Sequence, residues 1–246
     1  MTQPTNVPVD RVVVMGGSSG IGEATAALFA AGGAEVVVTG RSQDKLDAAV
    51  VRIGGNTTGH RMDAASKADI EAFFAQSGAI DHLVIAVSGA AGSGPFAELD
   101  LDDLAAGFAA KFWPQVRILQ AALPHLTAHG SVTLITAGSS RAAFPGTAGL
   151  AAINGALDAM VRPLAVELAP LRINAVSPGV IDTPWWDRIP EDQRRTLFEG
   201  IVATTPAGRV GRPEDVAAAI VSLATNGFIT GVVLDVQGGA TLATGR

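Results

Sequence analysis

Short apolar runs alternate along the chain with longer Ala-rich stretches. The runs predict strands at 11–15, 35–39, 57–61, 82–87, 131–136, 171–176 and 231–236, and the stretches predict helices near 20–31, 42–52, 66–77, 100–122, 148–168 and 213–224. Continuous apolar strands are typical of a sheet that is covered on both faces, and alternation of strands with helices produces right-handed βαβ units. The pattern therefore predicts a single α/β domain with a doubly wound parallel β-sheet and helices on both faces.

Two segments stand outside this alternation. Residues 1–10 form a polar N-terminal tail, which leaves 11–246 as the domain. The least regular segment is 183–210, which is rich in Pro, Trp and charge, and a long irregular stretch in a compact domain is usually a functional loop or lid. Its Pro184-Trp185-Trp186 run offers flat apolar surfaces and favours an apolar or aromatic substrate, with lid packing or a subunit contact as the alternative.

Composition narrows the class of protein. The 17 Lys and Arg against 23 Asp and Glu give a net charge of −6, which argues against a nucleic-acid partner. The chain has no Cys, so disulfides, thiolate metal sites and Cys nucleophiles are excluded, and its four His show no metal spacing. It also has no Tyr, which excludes every mechanism that needs a phenol as its acid.

No membrane partner or targeting signal is expected. Residues 1–10 lack the basic start and apolar core of a signal peptide. The apolar stretch 216–234 is interrupted by Thr225, Asn226 and Gly227, which predicts a buried helix, a turn and a strand. We therefore expect a cytoplasmic protein.

A glycine-rich run follows the first predicted strand and opens the first helix, and its members are Gly16-Gly17-Ser18-Ser19-Gly20-Ile21-Gly22. Glycines allow a tight turn and a close approach of the backbone to a pyrophosphate, and a helix N-terminus offers that anion free N–H groups. The position between a strand and a helix in a βαβ unit is the context that makes such a run a dinucleotide site. The predicted fold is therefore Rossmann-like.

The second strand ends at Gly40-Arg41-Ser42, where a dinucleotide fold meets the adenosine ribose. An acidic residue there would hold the 2′-hydroxyl of NAD, but Gly40 leaves the place empty. The guanidinium of Arg41 suits a 2′-phosphate, with Ser42 beside it, so NADP(H) is favoured over NAD(H). Asp63, after the third strand, is expected to accept a hydrogen bond from the adenine amino group; the alternative is a helix cap.

From Arg11 to about Leu242 the sequence resembles the short-chain dehydrogenase/reductase family. The resemblance is carried by the glycine run (with Met15 where the family usually has Thr), Asp63, and two further segments, Asn174–Thr183 and Gly208–Val216 with Thr230-Gly231 and Gly238-Gly239. It implies that the Pro178-Gly179 turn approaches the nicotinamide and that Thr183 contacts the nicotinamide carboxamide or the pyrophosphate. Ile181 is also expected to contact the cofactor. Ser88 and Gly89 remain from a degraded family motif after the fourth strand, and they are expected to contact the cofactor.

The family's usual catalytic residues are missing. The resemblance places the family's Ser at Ala137, its Tyr at Leu150, its Lys at Asn154 and its Asn at Lys111. Lys and Asn have thus exchanged places, which keeps one cation and one amide in the pocket. We predict that Lys111 takes over the ribose or substrate contact with Asn154 as its partner, and that burial lowers its pKa until it can donate a proton; the alternative is a surface Lys.

A hydroxyl is also needed to orient a substrate oxygen. Thr136 is the first candidate, and Ser88, Ser139 and Ser140 lie near the empty Ser position. Each of these side chains also has a plain alternative as a turn or strand-end residue.

These residues predict an NADP(H)-dependent oxidoreductase that acts on a small, apolar carbonyl-type substrate through a non-standard site. Two other readings stay open: a catalytically silent NADP-binding sensor or partner protein, and a lyase or isomerase that reuses the pocket. The resemblance further implies a homotetramer or homodimer built on the helices near 100–122 and 148–168.

Overall fold

Seven parallel strands form one sheet in the order β3-β2-β1-β4-β5-β6-β7 in the computed structural model, which describes residues 10–242. The strands are β1 (Arg11–Met15), β2 (Glu35–Gly40), β3 (Asn56–Arg61), β4 (Ile80–Ile85), β5 (Leu126–Ile135), β6 (Arg172–Pro178) and β7 (Val233–Val236). Their order reverses between β1 and β4. The carboxyl ends of these two strands therefore border the crevice in which doubly wound sheets bind ligands.

Helices cover both faces of the sheet, as the sequence pattern predicts. They are α1 (Gly20–Ala31), α2 (Gln43–Ile53), α3 (Lys67–Ser77), α4 (Leu101–Gly107), α5 (Trp113–Ala122), α6 (Ala148–Glu167), α7 (Glu191–Thr204) and α8 (Pro213–Thr225). Side chains of α3, α5 and α6, such as Phe74, Ile118 and Val161, bury one face. Side chains of α1, α2 and α8, such as Leu46 and Ile220, bury the other. The Val-rich runs are strands because both of their faces lie in a dry core.

Most predicted elements are confirmed, with shifts at their ends. The predicted helix over 100–122 is α4 and α5 joined by a π-helical turn over Phe108–Phe112. The stretch 216–234 is the body of α8, a turn and the start of β7, and no helix in residues 10–242 is long and apolar enough to cross a membrane. Of the predicted tail, residues 1–9 lie outside the described residues.

The expectation of an irregular 183–210 segment is wrong for much of its length. A 3₁₀ turn spans Pro184–Arg188, and the 14-residue helix α7 follows it. Phe198 and Ile201 are half-buried, while the remaining side chains of α7 are mostly exposed. A helix with so narrow an apolar stripe gives a weak periodic signal, which explains why the pattern of the segment looks irregular.

A buried guanidinium ties the amino end of β6 to the end of α8. Arg172 is 8% exposed and donates to the carbonyl oxygens of Leu223, Ala224, Asn226 and Ile229. The last carbonyl groups of a helix have no N–H donor within the helix, and here the guanidinium of Arg172 donates to them instead. Arg172 is therefore a structural cation, far along the strands from the crevice.

Candidate cofactor and active site

Two glycines at the turn between β1 and α1, Gly16 and Gly22, have no room for a Cβ. The backbone N–H groups of Gly16 and Gly17 both donate to the carbonyl of Thr39, at 3.2 and 3.0 Å. Gly16 has a φ of +85°, and a Cβ there would lie 2.9 Å from the carbonyl oxygen of Ala86. A Cβ on Gly22 would collide with the carbonyl of Gly16. The turn thus presents bare backbone at the crevice.

The N-terminus of α1 is open toward the same place. Its first intrahelical bond runs from the N–H of Glu23 to the carbonyl of Ser19, and no side chain caps the helix. The N–H groups of its first turn, including that of the half-buried Ile21, therefore point out of the helix end. Ser18 lies within the turn, and its Oγ is 3.0 Å from where a Cβ on Gly40 would be. This cradle fits a pyrophosphate, and a dinucleotide suits it.

The end of β2 carries exposed positive charge. Arg41 is exposed, and its side chain makes no hydrogen bond or ion pair within residues 10–242. Arg61, at the end of β3, reaches the same spot, because its Nε donates to the carbonyl of Arg41 at 3.3 Å. Sequence reasoning missed Arg61, since only the pairing of β2 with β3 brings its guanidinium beside the backbone of Arg41. Ser42 caps α2 by accepting from the N–H of Lys45 at 3.4 Å.

Asp63 forms a turn rather than a helix cap. Its Oδ1 accepts from the N–H of Ala65 at 3.0 Å, and its own N–H donates to Asp69. Ser66 caps α3 instead, by accepting from the N–H of Asp69 at 3.2 Å. The alternative of a cap at Asp63 is therefore wrong, while its contact with adenine stays a prediction.

The chain after β6 crosses the crevice beside the glycine turn. Thr183 lies against Gly20, where an added Cβ would be 3.3 Å from the Thr183 side chain. Pro178 ends β6, and the adjoining Gly179 packs so closely on Gln237 that a Cβ there would lie 2.8 Å from the Gln237 Cβ. Ile181 is 5% exposed and forms a bridge with Gly211. Thr183 and the glycine turn therefore approach each other, as the resemblance implies.

The residues after β4 lie at the other side of the crevice. Ser88 is exposed, and its hydroxyl donates to the carbonyl of Gly89 at 3.4 Å. A Cβ on Gly89 would be 2.7 Å from that of Ala110, so only glycine lets this loop pack on the π-helical turn. The loop and the residue before Lys111 are thus in direct contact.

Lys111 lies in the π-helical turn between α4 and α5. The wider turn adds a residue to the helix, and such turns are frequent at functional sites. Lys111 is 7% exposed, so it is a buried cation and not the surface Lys of the alternative interpretation. Gln115, one turn later and fully buried, donates to the carbonyls of Val87 and Ile135, which joins α5 to the ends of β4 and β5.

Lys111 and Asn154 are bonded directly. The Lys111 Nζ donates to Asn154 Oδ1 at 2.6 Å and to the carbonyl of Thr136 at 3.0 Å. Asn154 is 3% exposed, and its Nδ2 donates to the carbonyl of Leu150 and to the Oγ of Ser139. Burial lowers the pKa of Lys111 to about 8, which the negative charge of Asp158 only partly offsets. Lys111 is therefore charged at neutral pH but holds its proton weakly.

The hydroxyl of Thr136 is occupied elsewhere. It donates to the carbonyl of Val176 at 3.3 Å, and the residue is 2% exposed. The geometry therefore does not support Thr136 as the group that orients a substrate oxygen; only its carbonyl contributes, by accepting from Lys111. Thr136 follows the last residue of β5, and its backbone N–H donates to the same Val176 carbonyl at 2.9 Å. No pattern within a single strand reveals this neighbour.

The segment after Thr183 is latched across the crevice. Trp185 Nε1 donates to the carbonyl of Gly89 at 3.3 Å, and Trp186 Nε1 to that of Ile181 at 2.8 Å. The guanidinium carbon of Arg188 lies 3.4 Å from the centre of the Trp185 ring. Indole and guanidinium thus stack beside the loop that follows β4. Within residues 10–242, no group of three or more His, Asp or Glu side chains is placed to hold a metal ion.

Comparisons with known proteins bear on this arrangement. A family model described as enoyl-(acyl carrier protein) reductase matches residues 16–241. L-Fucose dehydrogenase from Mus musculus is 34% identical over 258 residues, which cover 96% of this chain and 89% of the relative.

Solved structures agree with the sequence relatives. A small-chain dehydrogenase in complex with NADPH superposes with a TM-score of 0.81 at 30% identity, covering 95% of this chain and 99% of the other. A reductase/Diels-Alderase from Malbranchea aurantiaca superposes with a TM-score of 0.87 at 25% identity, covering 95% and 97%. The match therefore spans nearly all of the described chain.

Proposed function

The chain belongs to the short-chain dehydrogenase/reductase family, and from that membership we propose that it is an NADP(H)-dependent oxidoreductase whose site is built on Lys111 and Asn154. The observation that carries the proposal is the buried 2.6 Å bond between Lys111 Nζ and Asn154 Oδ1. A buried ammonium costs free energy, and here it lies at the carboxyl end of the sheet with two acceptors among residues 10–242. Its remaining N–H is available to the nicotinamide ribose or to a substrate.

The charges at the end of β2 support NADP(H) over NAD(H). Gly40 leaves no acidic side chain to hold a ribose 2′-hydroxyl, and a larger residue there would meet Ser18 Oγ at 3.0 Å. Arg41 and Arg61 together offer two guanidinium groups to a 2′-phosphate. Such a phosphate accepts charge-assisted hydrogen bonds, which are about twice as strong as neutral ones.

The bound cofactor would supply the hydride, and the chain supplies position and charge. The glycine turn and the N-terminus of α1 hold the pyrophosphate, while Thr183 and Pro178 border the nicotinamide end. Lys111 fixes Asn154 and places a positive charge at the carboxyl end of β5. Since Leu150 cannot exchange a proton, substrates that need no strong acid fit best, such as conjugated or activated carbonyl compounds and imines.

An aromatic cluster in the 183–210 segment, formed by Trp185, Trp186 and Phe198, supports a small apolar substrate. Trp185 packs edge to face on Trp186 with their ring centres 4.6 Å apart. Leu150 stands where the resemblance expects the family's Tyr. Apolar side chains that exclude water from a bound substrate would strengthen the field of Lys111 at the reacting group. In this proposal, residues 183–210 form a lid over the crevice, held by the bond from Trp185 to Gly89.

The experiment measures NADPH binding and NADPH consumption with a panel of aromatic aldehydes, cyclic 1,2-diones and imines. Lys111→Met is expected to lose about 10- to 100-fold in turnover or in NADPH affinity, since a hydrogen bond from a charged donor contributes ~1.5–3 kcal/mol. The matched control is Lys67→Met, because Lys67 is exposed on α3 and its ion pair with Glu71 is exposed as well. Unchanged affinity and turnover in Lys111→Met contradict the proposal, and tight NADPH binding without turnover on any compound favours a silent sensor.

A second candidate function is a non-redox reaction in the same pocket. The reductase/Diels-Alderase is a structural neighbour whose description joins a reduction to a cycloaddition. An apolar crevice with one buried cation suits a reaction that needs orientation and a hydrogen-bond donor rather than an acid. Product formation by the oxidised NADP⁺ complex, with no change in NADPH absorbance, distinguishes this candidate.

Exposed apolar side chains support a homodimer or homotetramer. Leu101 on α4 is 71% exposed, Trp113 on α5 is 49% exposed and Val166 on α6 is 81% exposed. These helices are the ones on which family members associate, and burying such side chains stabilises an assembly. Light scattering of the purified protein measures the number of copies, and a monomer at all concentrations contradicts this part of the proposal.

A further inference from the structure

Four hydroxyl groups lie near the carboxyl ends of β4 and β5, and three of them already donate to the protein. Thr136 donates to the carbonyl of Val176, Ser88 to that of Gly89, and Ser140 to Asp158 Oδ2 at 2.6 Å. Ser139 differs: its Oγ accepts from Asn154 Nδ2 at 3.2 Å, and it donates to no acceptor among residues 10–242. Its proton is therefore free for a ligand.

Ser139 ends a chain of hydrogen bonds that begins at a cation. Lys111 Nζ donates to Asn154 Oδ1, and Asn154 Nδ2 donates to Ser139. The direction of this chain is fixed, because the Lys111 ammonium has only donors and must face the amide oxygen. The Asn154 NH₂ group then faces Ser139 and the carbonyl of Leu150. The free proton of Ser139 is thus directed away from Asn154.

The chain makes Ser139 a stronger donor than an ordinary serine. Lys111 and Asn154 are both buried, so the field of the ammonium is weakly screened. Hydrogen bonds in series polarise one another. When the Ser139 oxygen accepts from the polarised Asn154 amide, the hydroxyl proton of Ser139 becomes more positive and donates more strongly. A donor of this kind stabilises the negative charge that grows on an oxygen during hydride addition.

A second group of bonds holds Ser139 in place. Ser139 lies in a 3₁₀ turn over Gly138–Ser140, and Ser140 Oγ bonds both Asp158 and the carbonyl of Ala137. Asp158 lies one turn after Asn154 on α6. Two consecutive serines are therefore anchored to two consecutive turns of the same helix, which fixes the hydroxyl of Ser139 against rotation of the loop.

We propose that Ser139 is the residue that donates a hydrogen bond to the substrate oxygen, and that Lys111 acts on the substrate through Asn154 and Ser139. The inference rests on the proposed function and extends it by naming the substrate-contacting donor and the class of ligand it takes: a compound with an accepting carbonyl oxygen. Ser139 keeps its proton, so no covalent step is involved. It replaces the hydroxyl that is missing at Ala137, from two residues further along the chain.

The test uses the full chain loaded with NADP⁺, so that no hydride is available. The probe is 4-(dimethylamino)cinnamaldehyde, whose absorption band moves to longer wavelength when its carbonyl oxygen accepts a hydrogen bond. Three variants are compared: Ser139→Ala removes the donor, Ser139→Thr keeps it, and Ser222→Ala is a matched control on the exposed face of α8. A band shift in the wild type, the Thr variant and the control, and its loss in the Ala variant, is the expected result. No shift in the wild type, or an equal shift in Ser139→Ala, overturns the inference.

A kinetic measurement separates this inference from the proposed function. With a carbonyl compound that is turned over, Ser139→Ala is expected to lower kcat about 10-fold or more while the NADPH affinity stays unchanged, because the lost bond is made only to the substrate. Ser139→Thr is expected to recover most of that loss. If NADPH consumption fails in the wild type but the band shift behaves as stated, the donor is assigned and the oxidoreductase function is not. If consumption is normal and unaffected by Ser139→Ala, the function stands and the inference fails.

Discussion

Each end of the parallel sheet has a buried cation, and the two cations differ in how many carbonyl or amide oxygens accept from them. At the amino end, Arg172 donates to four carbonyl oxygens and leaves the end of α8 satisfied. At the carboxyl end, Lys111 has two protein acceptors, and the chain that it begins ends in the free proton of Ser139. Both cations are less than a tenth exposed, and burial lowers the pKa of each. Burial alone therefore does not distinguish the two cations, whereas the number of acceptors around each of them does.

The largest expected effect separates the two cations by stability. Arg172→Met leaves the carbonyls of the α8 terminus buried without donors, and removing one member of a buried polar network typically costs about 3–5 kcal/mol of the free energy of unfolding. Urea denaturation measures this loss, and NADPH affinity of the folded variant should stay close to that of the wild type. Arg52→Met is the control, because its ion pair with Glu23 is exposed. If Arg172→Met lost little free energy of unfolding, Arg172 would not be the structural cation that the comparison with Lys111 assumes.

Lys111 is expected to respond to pH in a way that Arg172 does not. Its pKa is about 8 in the folded protein against 10.5 ordinarily, so between these values the unfolded chain binds more protons and stability rises with pH. Lys111 therefore lowers stability at pH 7, and the cost fades above pH 8. Unfolding of the wild type and of Lys111→Met at pH 7 and pH 10 should show the wild type gaining about 2–3 kcal/mol relative to the variant. A constant difference between the two proteins would mean that Lys111 does not titrate in this range.

Arg41 tests the exposed charge at the carboxyl end. Arg41→Asp should weaken NADPH by about 10- to 100-fold, through loss of a charge-assisted bond and repulsion of the 2′-phosphate, and should affect NADH far less. Isothermal calorimetry with both nucleotides measures the ratio, and Arg61→Met is expected to show a smaller loss of the same sign. Equal weakening of NADPH and NADH by Arg41→Asp would remove the support for NADP(H).

Exchanging Lys111 and Asn154 tests whether the two side chains act as a pair, and it has the smallest expected effect. Lys111→Asn and Asn154→Lys, each alone, leave two amides or two ammonium groups in one buried place. The double variant restores one of each, so it should recover at least about tenfold, or ~1.4 kcal/mol, of the NADPH affinity that the single variants lose. Additive losses in the double variant would show that the two side chains act independently.

Much of the cofactor cradle could be predicted from sequence, because it depends on local features. Gly16 and Gly22 are needed where a Cβ would meet backbone, and the strand and helix around them follow from apolar periodicity. Helix α7 was not predicted because its apolar stripe is narrow. Arg61 was not predicted as a site residue because β3 is a polar edge strand, and only its pairing with β2 brings Arg61 close to Arg41.

The chemistry of the site depended more on tertiary structure. The positions of Lys111 and Asn154 indicate an exchanged pair, yet their 2.6 Å contact joins side chains 43 residues apart. Of the hydroxyls that the sequence offers, Thr136 donates to Val176, while Ser139 donates to no acceptor in the part of the chain that the structure describes. Residue type alone cannot make this choice, since all of them can donate.

The sequence by itself determined the fold class, the glycine cradle, the family and the loss of its phenol, since these follow from periodicity, from steric limits at glycine and from residues that are simply missing. The tertiary structure decided which cation is structural and which faces the crevice, because that depends on how many acceptors surround each buried charge. Acceptors come from strands and helices distant in the chain, and only packing brings them together.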